Sequence, residues 1–176
     1  MKGKKQNGWR PALVGGVAAL IGLVAGCSGA AGNGAPGAGR SVEQVAHWAD
    51  GATVESVAET LRVRVPSTAV EVKAAHWEGL QDDGLILAFV LPTGEVDPFI
   101  AQLKPEAPLT LRERPLARNT NPSTPFSHLG VPEPDLLAKV REGQVCAPCD
   151  GDLNWMKVAV ARVDERTSRV YLSGVD

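Results

Sequence analysis

Cys146-Ala147-Pro148-Cys149 is the pair of side chains in this chain best placed to do chemistry. Two thiols separated by two residues can lower one another's pKa and exchange with a disulfide. That chemistry belongs where a strand runs into a helix N-terminus. Here Asp150-Gly151-Asp152 follows at once, a turn composition, and its carboxylates would raise a neighbouring thiol's pKa. No βαβ order precedes the pair. The spacing therefore admits two readings, a redox centre and a small covalent staple in a loop. A metal site built from Cys146 and Cys149 with Met156 or His128 lacks the three or four ligands that zinc or copper requires. Asp150-Gly151-Asp152-Leu153-Asn154 opens like a calcium loop, but Ala161 stands where the bidentate glutamate belongs, so a turn is expected.

Other reactive groups are scattered. His47, His76 and His128 accompany no Gly-x-Ser-x-Gly elbow, and no serine–histidine–acid set stands out. Glu95 and Asp97 read as helix caps and not as paired catalytic carboxylates. The folded region has no glycine-rich phosphate loop, so no cofactor is expected. Trp48, Trp77 and Trp155 are the largest apolar side chains and are expected to anchor the core. An exposed one among them would mark a surface for a peptide or glycan.

The third cysteine has a different setting. Lys2, Lys4, Lys5 and Arg10 precede an apolar run over 12–25, and no acidic residue occurs before Glu43. That run is shorter than the roughly 20 residues needed to span hydrocarbon, which fits the central part of a signal peptide. Leu23-Val24-Ala25-Gly26-Cys27 resembles the lipobox of bacterial lipoproteins: an aliphatic residue, then small residues that admit a peptidase, then a nucleophilic thiol. The resemblance implies a signal peptide over 1–26, cleavage before Cys27 and a diacylglyceryl thioether on Cys27. Two acyl chains give stable anchoring where one gives marginal binding. An ordinary signal peptide or an uncleaved N-terminal helix is the plainer alternative.

The resemblance also sets the compartment, the extracytoplasmic face of the cell membrane. With Cys27 lipidated in an oxidising environment, Cys146 and Cys149 remain as a pair, and a structural disulfide is expected between them.

Residues 28–39, SGAAGNGAPGAG, hold no large apolar side chain, so residues 27–40 are expected to be the lipidated cysteine and a flexible linker. A single globular domain is expected over 41–176. Without residues 1–26 the chain carries 14 Lys and Arg against 20 Asp and Glu, a net charge of −6. Clustered basic residues are what phosphate backbones and anionic lipid heads require, so no nucleic-acid partner is expected.

Along the domain, Ser41 with Gln44 predicts a short helix over 42–49, and Thr53 predicts a second over 54–61. Residues 70–77 and 85–91 predict a hairpin about the turn Gln81-Asp82-Asp83-Gly84. Val96, Phe99, Ile100 and Leu103 carry helix spacing from residue 92 or 93, with Asp97-Pro98 as a second possible start. Residues 104–134 predict an irregular stretch with a long loop at 118–122, and residues 135–141 one more short helix. Residues 155–163 and 170–175 predict a second hairpin. The sum is an α+β domain: an antiparallel sheet of two hairpins with helices packed on one face.

Val65-Pro66-Ser67-Thr68-Ala69-Val70, Trp77…Asp83…Leu85-Ile86-Leu87-Ala88-Phe89 and Val163-Asp164…Val170-Tyr171-Leu172 resemble small lipoproteins common in actinobacteria. The resemblance covers about half of the chain beyond Cys27 and implies an anchored α+β domain without an attached activity. The expected function is a non-enzymatic binding or structural module of the cell envelope, held to the membrane through Cys27, with an envelope protein or glycan as partner. The alternative is an envelope thiol–disulfide oxidoreductase using Cys146 and Cys149.

Overall fold

A computed structural model describes residues 45–116 and 125–176. Segment 1–26, Cys27 with the linker over 27–40, the Ser41–Gln44 cap and the loop at 118–122 lie outside the described residues.

The mixed α+β class is seen, with strands predominating. Seven strands form one antiparallel sheet: β1 (His47–Trp48), β2 (Val70–Glu78), β3 (Gly84–Pro92), β4 (Thr110–Arg112), β5 (Val140–Cys146), β6 (Trp155–Arg162) and β7 (Thr167–Val175). Their spatial order is β1-β2-β3-β7-β6-β5-β4. The sheet is thus wider than the two expected hairpins. The described residues also form two α-helices, α1 (Val54–Thr60) and α2 (Thr93–Leu103).

β3 lies inside the sheet, beside the central β7, because its sequence is apolar on both faces. Residues 84–91 are all buried, as a strand covered front and back must be. Alternation divides its side chains between two cores. Leu85, Leu87, Phe89 and Leu91 join Val158, Val160, Val170 and Leu172 beneath α1 and α2. Phe89 meets Phe99 of α2 edge to face, 5.3 Å between centroids. Ile86 and Ala88 face the other way, toward Tyr171, Ala161, Val140, Phe126 and Val131.

α1 starts where the sequence marks it. The Thr53 side chain accepts from the Ser56 amide at 3.1 Å, and the Thr53 amide donates back to Ser56 Oγ at 3.0 Å, a reciprocal cap. α2 starts at Thr93 and not at Asp97. Pro98 sits inside it at the loss of one backbone bond, and burial of Val96, Phe99 and Ile100 on the sheet holds the helix through that point.

Three expectations fail. Residues 47–48, expected in a helix, form β1, pairing in register with Glu78 and Trp77 of β2. Residues 135–141, expected as a helix, contain a single 3₁₀ turn (Pro134–Leu136) and then enter β5. Pro134 begins that turn and β-pairing of residues 140–146 with β6 takes the rest, so tertiary pairing overrides local pattern. The stretch 104–134 is not wholly irregular: it holds β4 and a 3₁₀ turn over Phe126–Leu129. Among the described residues no helix is long and apolar enough to cross a membrane.

Candidate functional site: a cleft on the sheet

Cys146 ends β5 and Cys149 follows in the loop to β6. Their Cα atoms are 4.9 Å apart and their sulfurs are at bonding distance. Both side chains pack against the core beneath the helices. The loop is held by Glu106, whose carboxylate accepts from the Ala147 amide at 2.6 Å, and by the Cys149 amide donating to the Leu153 carbonyl at 3.2 Å. No helix begins at either cysteine, so neither sulfur receives the helix-terminal field that activates thiols in redox sites. Met156 is paired with Cys146 in register but is buried in the core. His128 lies on a different element.

The remaining sequence candidates do not converge. Glu95 accepts from the Thr68 hydroxyl, whereas Asp97 pairs with Arg141 at 2.7 Å. His47 is 3.5 Å from Glu78, and His76 is 3.2 Å from Asp83. His128 stacks on Trp48. Asp150 and Asp152 are exposed in a turn. Among the described residues no group of three or more His, Cys, Asp or Glu side chains comes together as a metal site.

What does converge is a cleft of about 460 Å³ on the sheet face opposite the helices. Its floor follows from strand register. Gln144 of β5 lies opposite Lys157 of β6, which lies opposite Ser173 of β7. In the next row Glu142 faces Ala159, and Ala159 faces Tyr171. Because strand side chains alternate, these residues share one face while Val158 and Val160 point into the helix-covered core. Ala159 is the shortest side chain of its row, and that makes the floor concave. Trp155 begins β6 at one end of the cleft and is half-buried, with the Lys157 ammonium over its ring at 5.2 Å from the centroid.

Residues 125–137 build the wall. Phe126 packs edge to face on Tyr171 at 5.1 Å, seating this segment on the sheet. Arg112 of β4 then staples it. The guanidinium forks onto Glu142 at 3.0 and 3.2 Å and donates to the carbonyls of Pro134 and Leu137, each at 2.8 Å. With its side chain only 10 % exposed, Arg112 needs every one of these acceptors. Glu133 accepts from the Ser127 amide at 2.6 Å, closing the wall on itself. Tyr171 at the foot of the wall has its phenol pushed above the usual range by burial, with nearby Arg169 acting in the opposite direction.

Two of the three lining carboxylates already have hydrogen-bond partners. Glu142 is neutralised by Arg112, and Glu133 is bonded to backbone. Asp135, Lys157, Ser173 and Trp155 line the cleft, and their side chains make no hydrogen bond among the described residues. Trp48, Trp77 and Trp155, expected from the sequence to anchor the core, are all partly exposed instead, and the cleft beside Trp155 was not anticipated. The signal was the alternation Trp155-x-Lys157-x-Ala159, a polar face on a strand whose other face is Val and Met.

No protein-family model, curated protein or solved structure matches the chain.

Proposed function

We propose that this chain is a lipoprotein anchored through Cys27 on the extracytoplasmic face of the cell membrane, and that its folded part is a non-enzymatic binding module with the cleft as its ligand site. The observation that carries the binding role is the cleft: a pre-formed concavity, within the 300–1,000 Å³ usual for small-molecule sites, whose half-buried indole is ringed by polar groups without a partner among the described residues. The anchor rests on the basic head, the short apolar run and the lipobox of residues 23–27. Cys146 and Cys149 are read as a structural disulfide that fixes the β5–β6 loop.

Two measurements test this. In cells, wild type carries the added mass of a diacylglyceryl group and fractionates with membranes, whereas Cys27→Ser does neither. A photo-crosslinker placed at Lys157 gives a discrete adduct in the envelope, and the same group at Glu165, in the β6–β7 turn, does not. Equal labelling at both positions, or none at either, removes the binding role.

The alternative, an envelope thiol–disulfide enzyme, draws on the closeness of the two sulfurs. Insulin reduction decides it: activity that disappears when both Cys146 and Cys149 are changed to serine would establish the enzyme and displace the binding reading.

A further inference from the structure

The cleft's chemistry narrows its ligand, on the premise that the cleft is a ligand site. Strands β6 and β7 are paired on both sides along the floor, and β5 takes β4 on its outer side over Val140–Glu142, so the floor offers side chains and little open backbone. A peptide entering as an added strand has little to pair with there. Charge points the same way. Arg112 offsets Glu142, and among the described lining residues the carboxylates of Glu133 and Asp135 then stand against the Lys157 ammonium, a surplus of one negative charge. That surplus disfavours an anionic ligand, and with an ammonium beside it the cleft gives a cation no dedicated site.

A neutral ligand rich in hydroxyls meets what is left. Each hydroxyl both donates and accepts, and the lining supplies both kinds of partner. Lys157 and the Trp155 N–H donate, Asp135 accepts, and Ser173 does either. Trp155 supplies the flat apolar surface on which the C–H face of a sugar ring rests, with the indole's polar edge left for a hydroxyl. Lys157 now lies over that ring from an exposed position, a contact weak enough for a ligand to displace. We infer that the cleft binds a segment of neutral oligosaccharide, one ring stacked on Trp155 and its hydroxyls shared among Asp135, Lys157 and Ser173.

The test uses the full lipidated chain in a sugar-free detergent, titrated with four neutral saccharides, chitotetraose, maltotetraose, mannotetraose and cellotetraose. Binding is read by calorimetry and tryptophan fluorescence. At least one of these saccharides is expected to bind. Trp155→Ala should weaken it by about tenfold or more, and Trp155→Phe by less. Ala159→Leu fills the floor without touching the platform and should also abolish binding, so the outcome does not depend on one variant folding. Glu165→Ala, in the β6–β7 turn outside the cleft, should bind as wild type.

Saccharide binding that survives both Trp155→Ala and Ala159→Leu overturns the assignment. So does failure of all four saccharides at millimolar concentration. If those saccharides fail while the Lys157 crosslinker still captures an envelope peptide or protein, the glycan inference falls and the binding module stands. If the crosslinker captures nothing, both fall.

Discussion

The indole of Trp48 lies flat on the imidazole of His128, centroids 3.8 Å apart and planes 6° from parallel. This contact joins two parts of the chain distant in sequence: the short edge strand β1 and the 3₁₀ turn that seats the cleft wall. Trp77 packs edge-on against the same indole at 5.4 Å. Two β1–β2 residue pairs are a small amount of sheet, so the aromatic contacts supply much of what holds β1.

His128→Ala should therefore lower stability by about 1 kcal/mol and release β1 first. Hydrogen exchange at the Ala49 amide, which donates to the His76 carbonyl at 2.8 Å, reports that release directly. Unchanged protection at Ala49 would show that pairing alone holds the strand.

Arg112→Ala should destabilise by roughly 2–4 kcal/mol, because it strands Glu142 and several carbonyls at a largely buried site. Arg112→Lys should recover only part of that, since one ammonium cannot reproduce a fork onto a carboxylate and two carbonyls. Urea denaturation of both variants is the measurement. Full recovery by lysine would mean that charge, not geometry, holds the wall.

Gly174 lies buried in β7 under Leu61 and Leu153. A Cβ there would meet Leu61 Cδ2 at 2.7 Å and Leu153 Cδ2 at 3.3 Å. Gly174→Ala should cost about 1–3 kcal/mol by overpacking. Adding Leu61→Ala should recover little for the alanine at 174 if the crowding comes mainly from Leu153, and much if it comes from Leu61. A double-mutant cycle measures this.

Asp164 closes the β6–β7 turn, accepting from the Arg166 and Thr167 amides and the Thr167 hydroxyl at 2.7, 2.9 and 2.8 Å. The hydrogen bond from the Arg166 amide, followed by those from Thr167, holds its carboxyl below the ordinary value. A carboxylate depressed in the folded state stabilises the fold above its unfolded pKa, about 3.9, and that contribution disappears as pH falls through the folded value. Wild type should be more stable than Asp164→Asn at pH 6, and the gap should close on acidification below about pH 4. Urea midpoints over a pH series test it. A gap independent of pH would assign the effect to shape alone.

Much of this architecture could be read from the residues, for reasons that also explain what could not. β2, β3, β6 and β7 carry their burial in their own alternation or apolar runs, and α1 carries its cap at Thr53. β5 does not. Arg141-Glu142-Gly143-Gln144 reads as a polar stretch because one face of that strand lines an open cleft and its edge takes β4. β1 is two residues long, and two residues have no periodicity to read. The floor of the cleft was partly legible in the spacing of Trp155, Lys157 and Ala159. Its wall was not, because Arg112 reaches Pro134 and Leu137 across more than twenty residues of chain. No local pattern encodes such a contact.

Among the described residues β2 leaves its outer edge without a strand partner before His76, the arrangement through which sheet proteins associate edge to edge. Its register with β3 slips between Val70 and Lys73, and Glu71 at that slip has φ of 51° and reaches Arg169 of β7 with its carboxylate. The extra residue twists the strand away from a flat template and places a charged pair beside it. If the proposed anchor held copies of this domain at high local concentration, this kink would keep neighbouring domains from zipping into a common sheet.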